Sequence, residues 1–395
     1  MAASTLRTDY AGKRGALLKL ALWSSILTVL TIGFYRFWMK TRLRRYYWSA
    51  IRPGGQPLEY VGEPLEKLLG FLIAVTFLAF YIGIVNLLLM FLSFSIMNNN
   101  LWAYALSFIG ILPILFYARY RARRYILART RWRGVRFGME QGAWGYSWRA
   151  LIHWAITILS AGLLWPRMTF ALEKYRTDRT FFGTERFEQG GRWQILYRAY
   201  LPFLAGLIIV AAGSIVIWQG QDIIGGLAIS VGVLVAYYGF AHYRVHAFRI
   251  LMNHKTVSGV GFQSRPRPWR VLWIYLFGYS LVGTVLTAFV IGFGFAIIAP
   301  LAFYGITLGE EFGLGDLAVL PFWLTTAISA FAYFAIFIIW GVLKHVLVTL
   351  PLARHYAETL DITGASNLST FAQRDRDKLD SAEGFAEALD VGAAI

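Results

Sequence analysis

Apolar residues in this chain come in long runs, which short polar or basic stretches separate. A run of about 18 or more apolar residues forms a helix long enough to cross the hydrocarbon core of a bilayer. Runs of this length lie at 68–97, 101–118, 200–218, 224–241, 271–298 and 320–350. They pair into three hairpins, because the loop between the two members of each pair contains no Lys or Arg. The pattern therefore predicts an all-α polytopic membrane protein with six transmembrane helices.

Basic residues are unevenly distributed among the loops. The loops inside the three hairpins, at 98–100, around 222 and at 310–316, contain no Lys or Arg. Basic residues instead concentrate in the stretches 36–52, 119–149, 167–198 and 242–270. Because Lys and Arg next to membrane segments are retained in the cytoplasm, we expect all four stretches and the C-terminal tail to be cytoplasmic.

Two shorter apolar segments, 16–38 and 150–165, do not fit this alternation. Both have basic residues at each end, and a crossing at 150–165 would place the stretch 167–198 outside. We therefore expect both segments to be re-entrant or interfacial helices, or hairpins that return to the cytoplasm. The alternative is that all eight segments cross and the charge rule fails once.

Composition agrees with membrane class. The 395 residues are 57% hydrophobic and only 15% charged, whereas soluble domains carry about 25% charged residues. The net charge of +17 suits an anionic lipid surface, so we expect anionic lipid headgroups as partners, and no nucleic acid. The chain has no cysteine, which excludes disulfides, thiolate metal sites and cysteine nucleophiles.

The basic stretches share a skeleton that consists of a basic residue, Thr, Gly and Phe. Its copies are Thr130, Gly134 and Phe137; Thr180, Gly183 and Phe187; and Thr256, Gly259 and Phe262. Fainter copies lie at 45–60 and 354–364. The repeats predict a multi-pass domain over 1–353, with units at about 16–118, 119–241 and 242–353, and a cytoplasmic tail at 354–395.

Each copy predicts a basic helix end, a turn at Gly and a short alternating stretch. Such stretches allow a small cytoplasmic β-structure made from the repeats. The segments upstream also match, with Gly33 against Gly162 and Trp38 against Trp165.

The stretch ILTVLTIGFYRFWMKTRLRRYYWSAI, together with RHYAETL and EGFAEALDVG in the tail, resembles the YjgN-like family of bacterial inner-membrane proteins, a domain of unknown function. The resemblance covers essentially the whole chain. Ser24–Ser25 stand where the family often has Asn, and YAGKRG replaces a Gly-rich opening. The resemblance implies an inner-membrane location and a multi-pass fold, and it implies no chemistry.

Motifs that carry catalysis are absent from the sequence. It has no phosphate loop, zinc-protease motif or nucleophile elbow, and no acidic residue lies inside an apolar run. We therefore expect no enzymatic activity, no cofactor and no metal site. His242 and His246 have a metal-binding spacing, but no third ligand is evident. Polar candidates within membrane segments are His153, Asn86, Lys344 and His345, for which packing or interfacial roles are favoured over ligand binding.

The basic, aromatic stretches are the best functional candidates, although topology anchoring alone also explains them. Candidates for lipid or anion binding are Arg119, Arg121, Arg123, Arg124, Arg42, Arg44, Arg45, Trp38, Trp132 and Trp165. Arg and Trp together suit phosphate and headgroup binding. We expect a protein that transports or binds a lipid or anionic solute, with the repeats around a central cavity. The alternative is a membrane-organising scaffold with a basic docking face, and an enzyme acting on lipid comes third.

Overall fold

The computed structural model describes residues 5–95, 102–303 and 321–374. Its helices are α1 (Arg14–Leu30), α2 (Arg36–Ala50), α3 (Pro64–Ser95), α4 (Trp102–Ala128), α5 (Ala143–Leu159), α6 (Trp165–Thr177), α7 (Tyr197–Trp218), α8 (Asp222–Asn253), α9 (Pro268–Phe303), α10 (Phe322–Leu343) and α11 (Leu350–Glu358). Its strands are β1 (Leu6–Tyr10), β2 (Ile51–Pro53), β3 (Leu58–Tyr60), β4 (Thr130–Trp132), β5 (Val135–Met139), β6 (Thr180–Phe182), β7 (Glu185–Gln189), β8 (Lys255–Val257), β9 (Val260–Ser264) and β10 (Leu360–Thr363). The expected loops at 98–100 and 310–316, and tail residues 375–395, lie outside the described residues.

The chain divides into two compact units. The first comprises residues 1–11, 44–271 and 355–395, and it contains every strand described above. The second comprises residues 12–43 and 272–354, with α1, α10 and the π-helical segment Lys344–Thr349.

All ten strands of the first unit belong to one antiparallel sheet, in the order β2-β1-β10-β9-β8-β7-β6-β5-β4-β3. The two edge strands, β2 and β3, are consecutive in the sequence, so the sheet curves into a nearly closed barrel. The expected β-structure is thus present, and it is larger than the sequence indicated. It includes β10, which lies in the segment expected to be a tail.

The recurring Gly residues form the tight turns of this sheet. At Arg133–Gly134 the φ angles are 52° and 78°, and at Ser258–Gly259 they are 43° and 80°. Two successive left-handed residues are what a two-residue type I′ hairpin requires, which favours Gly. The recurring Phe residues hold the third position of β5, β7 and β9, so the repeat skeleton corresponds to a β-hairpin.

Apolar side chains from nearly every strand fill one face of the sheet. Trp132, Phe182, Val257, Val260, Ile362 and Phe371 are buried there, and Leu6, Leu58, Val135, Phe137, Phe187, Phe262 and Leu368 pack against them. The rings of Phe137, Phe187 and Phe262 stack in succession, with centroids 6.5 Å and 5.9 Å apart. The barrel interior is therefore a packed core.

The strands and helices alternate as five structural repeats, and each repeat consists of a strand, a helical segment that folds back, and a second strand. One backbone hydrogen bond recurs at the base of every repeat. In each case the N–H of the residue after the first strand donates to the carbonyl of the residue before the second strand. These bonds are Ala11 to Ala50, Val61 to Arg129, Glu140 to Arg179, Gly190 to His254 and Arg265 to Thr359, all 2.8 or 2.9 Å long. The two ends of each helical segment are thus held side by side. This five-part division is finer than the three repeats expected from the sequence.

The segments 16–38 and 150–165 form two short helical hairpins, α1–α2 and α5–α6, with matching turns. Ile32 and Gly33 have φ angles of 52° and 89°, and Ala161 and Gly162 have 48° and 85°. The alignment of Gly33 with Gly162 is confirmed.

The alignment of Trp38 with Trp165 is wrong. Trp165 is the first residue of α6, and the first residue of α2 is Arg36, not Trp38. The two tryptophans can be aligned in the sequence because each follows its turn glycine within a few residues.

Five helical stretches among the described residues are long and apolar enough to cross a membrane. They are Pro64–Leu92, Trp193–Trp218, Asp222–Asn253, Pro268–Ile297 and Phe322–Glu358. They correspond to five of the six predicted crossings, and the sixth, 101–118, lies in α4, which is not among them. Neither α1 nor α5 is among them either.

Glycines bring α7 and α8 into close contact in the first unit. A Cβ added to Gly232 would lie 2.7 Å from the Val210 backbone nitrogen, and one added to Gly225 would lie 2.7 Å from the Gly213 carbonyl oxygen. The same close approach occurs at Gly239, where an added Cβ would collide with the Phe203 backbone nitrogen. Gly226, by contrast, faces open space.

Gly232→Ala is expected to destabilise the protein by about 1–3 kcal/mol, because the added methyl group forces α7 and α8 apart. Gly226→Ala on the same helix is the matched control. It should leave stability unchanged or raise it, since Ala favours helix over Gly by about 1 kcal/mol. Thermal unfolding of both variants in detergent, followed by tryptophan fluorescence, measures the difference. Equal melting temperatures would contradict the close packing.

Candidate functional site

Three of the predicted arginines lie exposed at helix surfaces. In the first unit, Arg119 is exposed on α4, and Arg45 is exposed on α2 while it donates to the Gly62 carbonyl at 3.0 Å. In the second unit, Arg42 is exposed, with its guanidinium 5.6 Å from the centre of the Tyr35 ring. These three side chains can reach a headgroup or a dissolved anion.

Three others are used to hold the fold together. Arg44 is buried and donates to the Tyr60 hydroxyl at 3.2 Å. Arg124 donates through Nε to the Met139 carbonyl at 2.9 Å. Arg121 lies against Tyr117, one turn earlier on α4. A sequence count of basic residues therefore overstates the positive charge that a ligand can meet.

The predicted tryptophans also have different environments. Trp132 is buried in the sheet core, where a headgroup cannot reach it. Trp165 packs edge-on against Phe203 and Phe240, with centroids 6.2 Å away in each case. Trp38 is half-buried and stacks on Tyr35.

The polar residues of the apolar segments lie on different elements of the two units. His153 is half-buried on α5. In the second unit, Lys344 and His345 begin the π-helical segment, a feature that often marks functional positions. Asn86 lies in α3, and its side chain is outside the described residues.

The rings of His242 and His246 lie 4.2 Å apart, and His242 Nδ1 is 3.1 Å from the Ala199 carbonyl oxygen. No group of three metal-ligating side chains occurs within residues 5–95, 102–303 and 321–374.

One further cluster joins three elements of the first unit around Glu173. Glu173 and Arg176 lie three residues apart on α6, hence on the same helix face, and Arg176 donates to Glu173 Oε2 at 2.5 Å. Lys255, the first residue of β8, donates to Oε1 at 2.5 Å. Arg123 of α4 lies 3.9 Å from the same oxygen. We call these four residues the Glu173 cluster.

Electrostatics in the Glu173 cluster favour the ionised carboxylate. Burial raises the pKa of Glu173, but Arg176, Lys255 and Arg123 outweigh it and hold that pKa well below its ordinary value. Burial lowers the pKa of Arg123 and of Lys255, although Glu173 opposes the shift in both. One negative charge thus faces three positive charges, and the cluster carries an excess of two.

A tyrosine core fixes the helices that carry the cluster. The ring centroids of Tyr120, Tyr146 and Tyr175 lie 5.5 to 6.1 Å apart. Tyr120 donates to the Glu140 carbonyl and Tyr175 to the Gly142 carbonyl, both at 2.9 Å. Burial raises the pKa of Tyr120, which keeps its hydroxyl protonated as a donor. The spacing of α4, α5 and α6 is therefore set by satisfied, buried aromatic groups.

Sequence reasoning found only one member of the Glu173 cluster, Arg123. Glu173 and Arg176 gave a local signal, an acid and a base three residues apart, but that pattern is common on helix surfaces. Lys255 is 82 residues from Glu173 in the sequence, and only the pairing of β7 with β8 brings it close.

A family model for bacterial proteins of unknown function (DUF898) matches residues 5–388. The chain belongs to this family. The match confirms the resemblance to the YjgN-like proteins, a class within it. No curated protein and no solved structure matches the chain. Membership of the DUF898 family names no activity.

Glu173→Gln is expected to lower the free energy of unfolding by about 3 kcal/mol, because three cations lose the carboxylate that offsets them. Glu188→Gln is the control, since Glu188 is an exposed acid on β7. Chemical denaturation in detergent measures both variants. Equal stability of the two would show that the cluster contributes nothing to folding.

Acid should weaken the wild-type protein through the same carboxylate. A group whose pKa is depressed in the folded state adds stability above its ordinary pKa, and this stability is lost as pH falls toward the folded value. The melting temperature of the wild type should therefore drop more steeply below about pH 4.5 than that of Glu173→Gln. Parallel pH profiles for the two proteins would contradict the assignment.

Proposed function

We propose that this protein is an integral inner-membrane protein that binds anionic lipid headgroups at its cytoplasmic face. The observation that carries the proposal is the single ten-stranded sheet. Because one sheet lies on one side of a membrane, all four basic stretches, which run into its strands, share that side. The charge rule makes it the cytoplasmic side.

The same constraint supports α4 as a sixth crossing helix. α3 leaves the sheet after β3, and α4 returns to it at β4, with Val61 bonded to Arg129 at the base. A chain that leaves and returns to one side crosses an even number of times. Three long helical hairpins then span the bilayer.

The two short hairpins enter the near leaflet without crossing. α1 and α5 have 17 residues each, a length of about 25 Å, which is less than the hydrocarbon thickness. Their turns expose large apolar side chains, with Ile32 91% and Leu159 87% exposed. Such tips are stable in lipid, and the basic residues beside the sheet remain at the headgroups.

Headgroup contacts come from the exposed arginines. Arg45 and Arg119 in the first unit are exposed, and each basic residue near an anionic surface contributes about 1 kcal/mol of binding. Arg42 makes the same kind of contact from the second unit.

Aromatic and aliphatic side chains fill the barrel interior, as far as the structure describes it, so the proposal places ligand binding at exposed arginines and not inside the sheet. The membrane-organising scaffold stays as the alternative. It is favoured by the packing of α5 on α4 and of α1 on α10, each within its own unit.

Cysteine accessibility tests the topology, since the chain has no native cysteine. A single cysteine at Thr184, in the turn between β6 and β7, should react with an impermeant reagent from the inside. A single cysteine at Gln219, in the α7–α8 loop, should react with it from the outside. Cysteines at Ile32 and Leu159 should react from neither side, because lipid surrounds them. Labelling of these two from the outside, like Gln219, would mean that the short hairpins cross.

Lipid selectivity tests the binding. Spin-labelled phosphatidylglycerol should associate with the wild type more strongly than phosphatidylcholine, and Arg45→Gln/Arg119→Gln should reduce the preference. Arg45→Lys/Arg119→Lys keeps the charge and should retain it. Equal association of both lipids with the wild type would favour the scaffold alternative.

A further inference from the structure

The Glu173 cluster has more positive charge than its own carboxylate can offset. Both Glu173 oxygens are already engaged, Oε2 by Arg176 and Oε1 by Lys255. Neighbouring acids are engaged elsewhere: Glu140 pairs with Arg186, and Asp178 pairs with Lys174. The excess of two charges is therefore not balanced by another acid nearby in the described fold.

Arg123 is the member with unused donors. Its guanidinium lies 3.9 Å from Glu173 Oε1, beyond hydrogen-bond distance. It donates no hydrogen bond within the described parts of the chain, and its buried Nε has no partner; the buried Nε of Arg176 also has none. The unmade hydrogen bonds are costly for a charged group, and because the Arg123 side chain is 34% exposed, a ligand can accept hydrogen bonds from its terminal N–H groups.

The two arginines of the cluster are partly exposed to solvent, whereas Glu173 and Lys255 lie behind them and are mostly buried. The side chains of Arg123 and Arg176 are 34% and 30% exposed, against 13% for Glu173 and 14% for Lys255. An anion can therefore approach the two guanidinium groups directly. Glu173 holds Arg176 and Lys255 in place, and the Tyr146 ring lies 5.8 Å from the Arg176 guanidinium.

We propose that the Glu173 cluster is a phosphate-binding site, with Arg123 and Arg176 as its ligands and Glu173 as a positioning residue. The planar guanidinium fork donates two parallel hydrogen bonds to phosphate oxygens, which a lysine cannot do. The phosphate group belongs either to a lipid headgroup or to a free cytoplasmic phosphate. The lipid source deepens the proposed function and rests on it, whereas the free-phosphate source does not.

Binding of inorganic phosphate to the full-length protein in neutral detergent tests the site. At equal ionic strength, phosphate should raise the melting temperature of the wild type above its value in chloride. Arg123→Gln should remove most of this shift, with at least about a tenfold loss of affinity. Arg198→Gln, which removes an exposed arginine outside the cluster, should keep it.

Basal stability separates a binding site from a structural ion pair. In chloride, Arg123→Gln should be at least as stable as the wild type, because it removes an uncompensated cation. A purely structural role predicts a clear loss of stability instead, and this result would overturn the proposal.

Nanodiscs distinguish the two sources of phosphate. A headgroup ligand predicts three results. Phosphatidylglycerol stabilises the wild type more than phosphatidylcholine does, Arg123→Gln abolishes this preference, and inorganic phosphate has no effect. A shift with inorganic phosphate alone identifies a free phosphate. The double variant Arg45→Gln/Arg119→Gln should retain the melting-temperature shift that depends on Arg123. A failure of headgroup binding by the exposed arginines is therefore distinguishable from a failure of the Glu173 cluster to bind phosphate. No response of the wild type to either probe overturns the proposal.

Discussion

The backbone pairing of short strands is the constraint on which the rest of this structure depends. A three-residue strand such as β4 or β6 is not stable alone, and each needs neighbours on both sides to satisfy its N–H and C=O groups. Near-closure of the ten strands provides those neighbours and leaves only β2 and β3 at the edges. Since every helical segment begins and ends in this sheet, pairing between strands determines which helix ends lie side by side.

Local signals in the sequence were sufficient to predict the helices and the turns. The apolar runs predicted the long helices, and Gly134 and Gly259 marked turns because their left-handed φ angles exclude most other residues. The returning path of 150–165 followed from charge at both ends of the segment. The order of the strands could not be predicted, because it depends on contacts such as Leu6 with Ile362 at opposite ends of the chain. The Glu173 cluster was missed for the same reason, since Lys255 reaches Glu173 only through the sheet.

Arginine has two roles in this protein, which composition cannot separate. Arg129 makes two hydrogen bonds to Glu66 at 2.7 and 3.1 Å and lies over the Tyr125 ring. Arg179, which precedes β6 as Arg129 precedes β4, lies over the Tyr175 ring at 3.7 Å. These guanidinium groups stack and pair within the fold, as a lysine could not. The charge left for ligands is smaller than the net charge implies, and it is concentrated where arginines lack such partners.

The pairing of β1 with β10 has a consequence for synthesis. Among the ten described strands, β1 is synthesised first and β10 last, so the edge of β1 that faces β10 is unpaired until translation has passed Thr363. Exposed strand edges recruit other strands. The nascent chain must therefore insert its helices while the sheet is still incomplete. The pairing of β10 with β1 is the step that covers this edge.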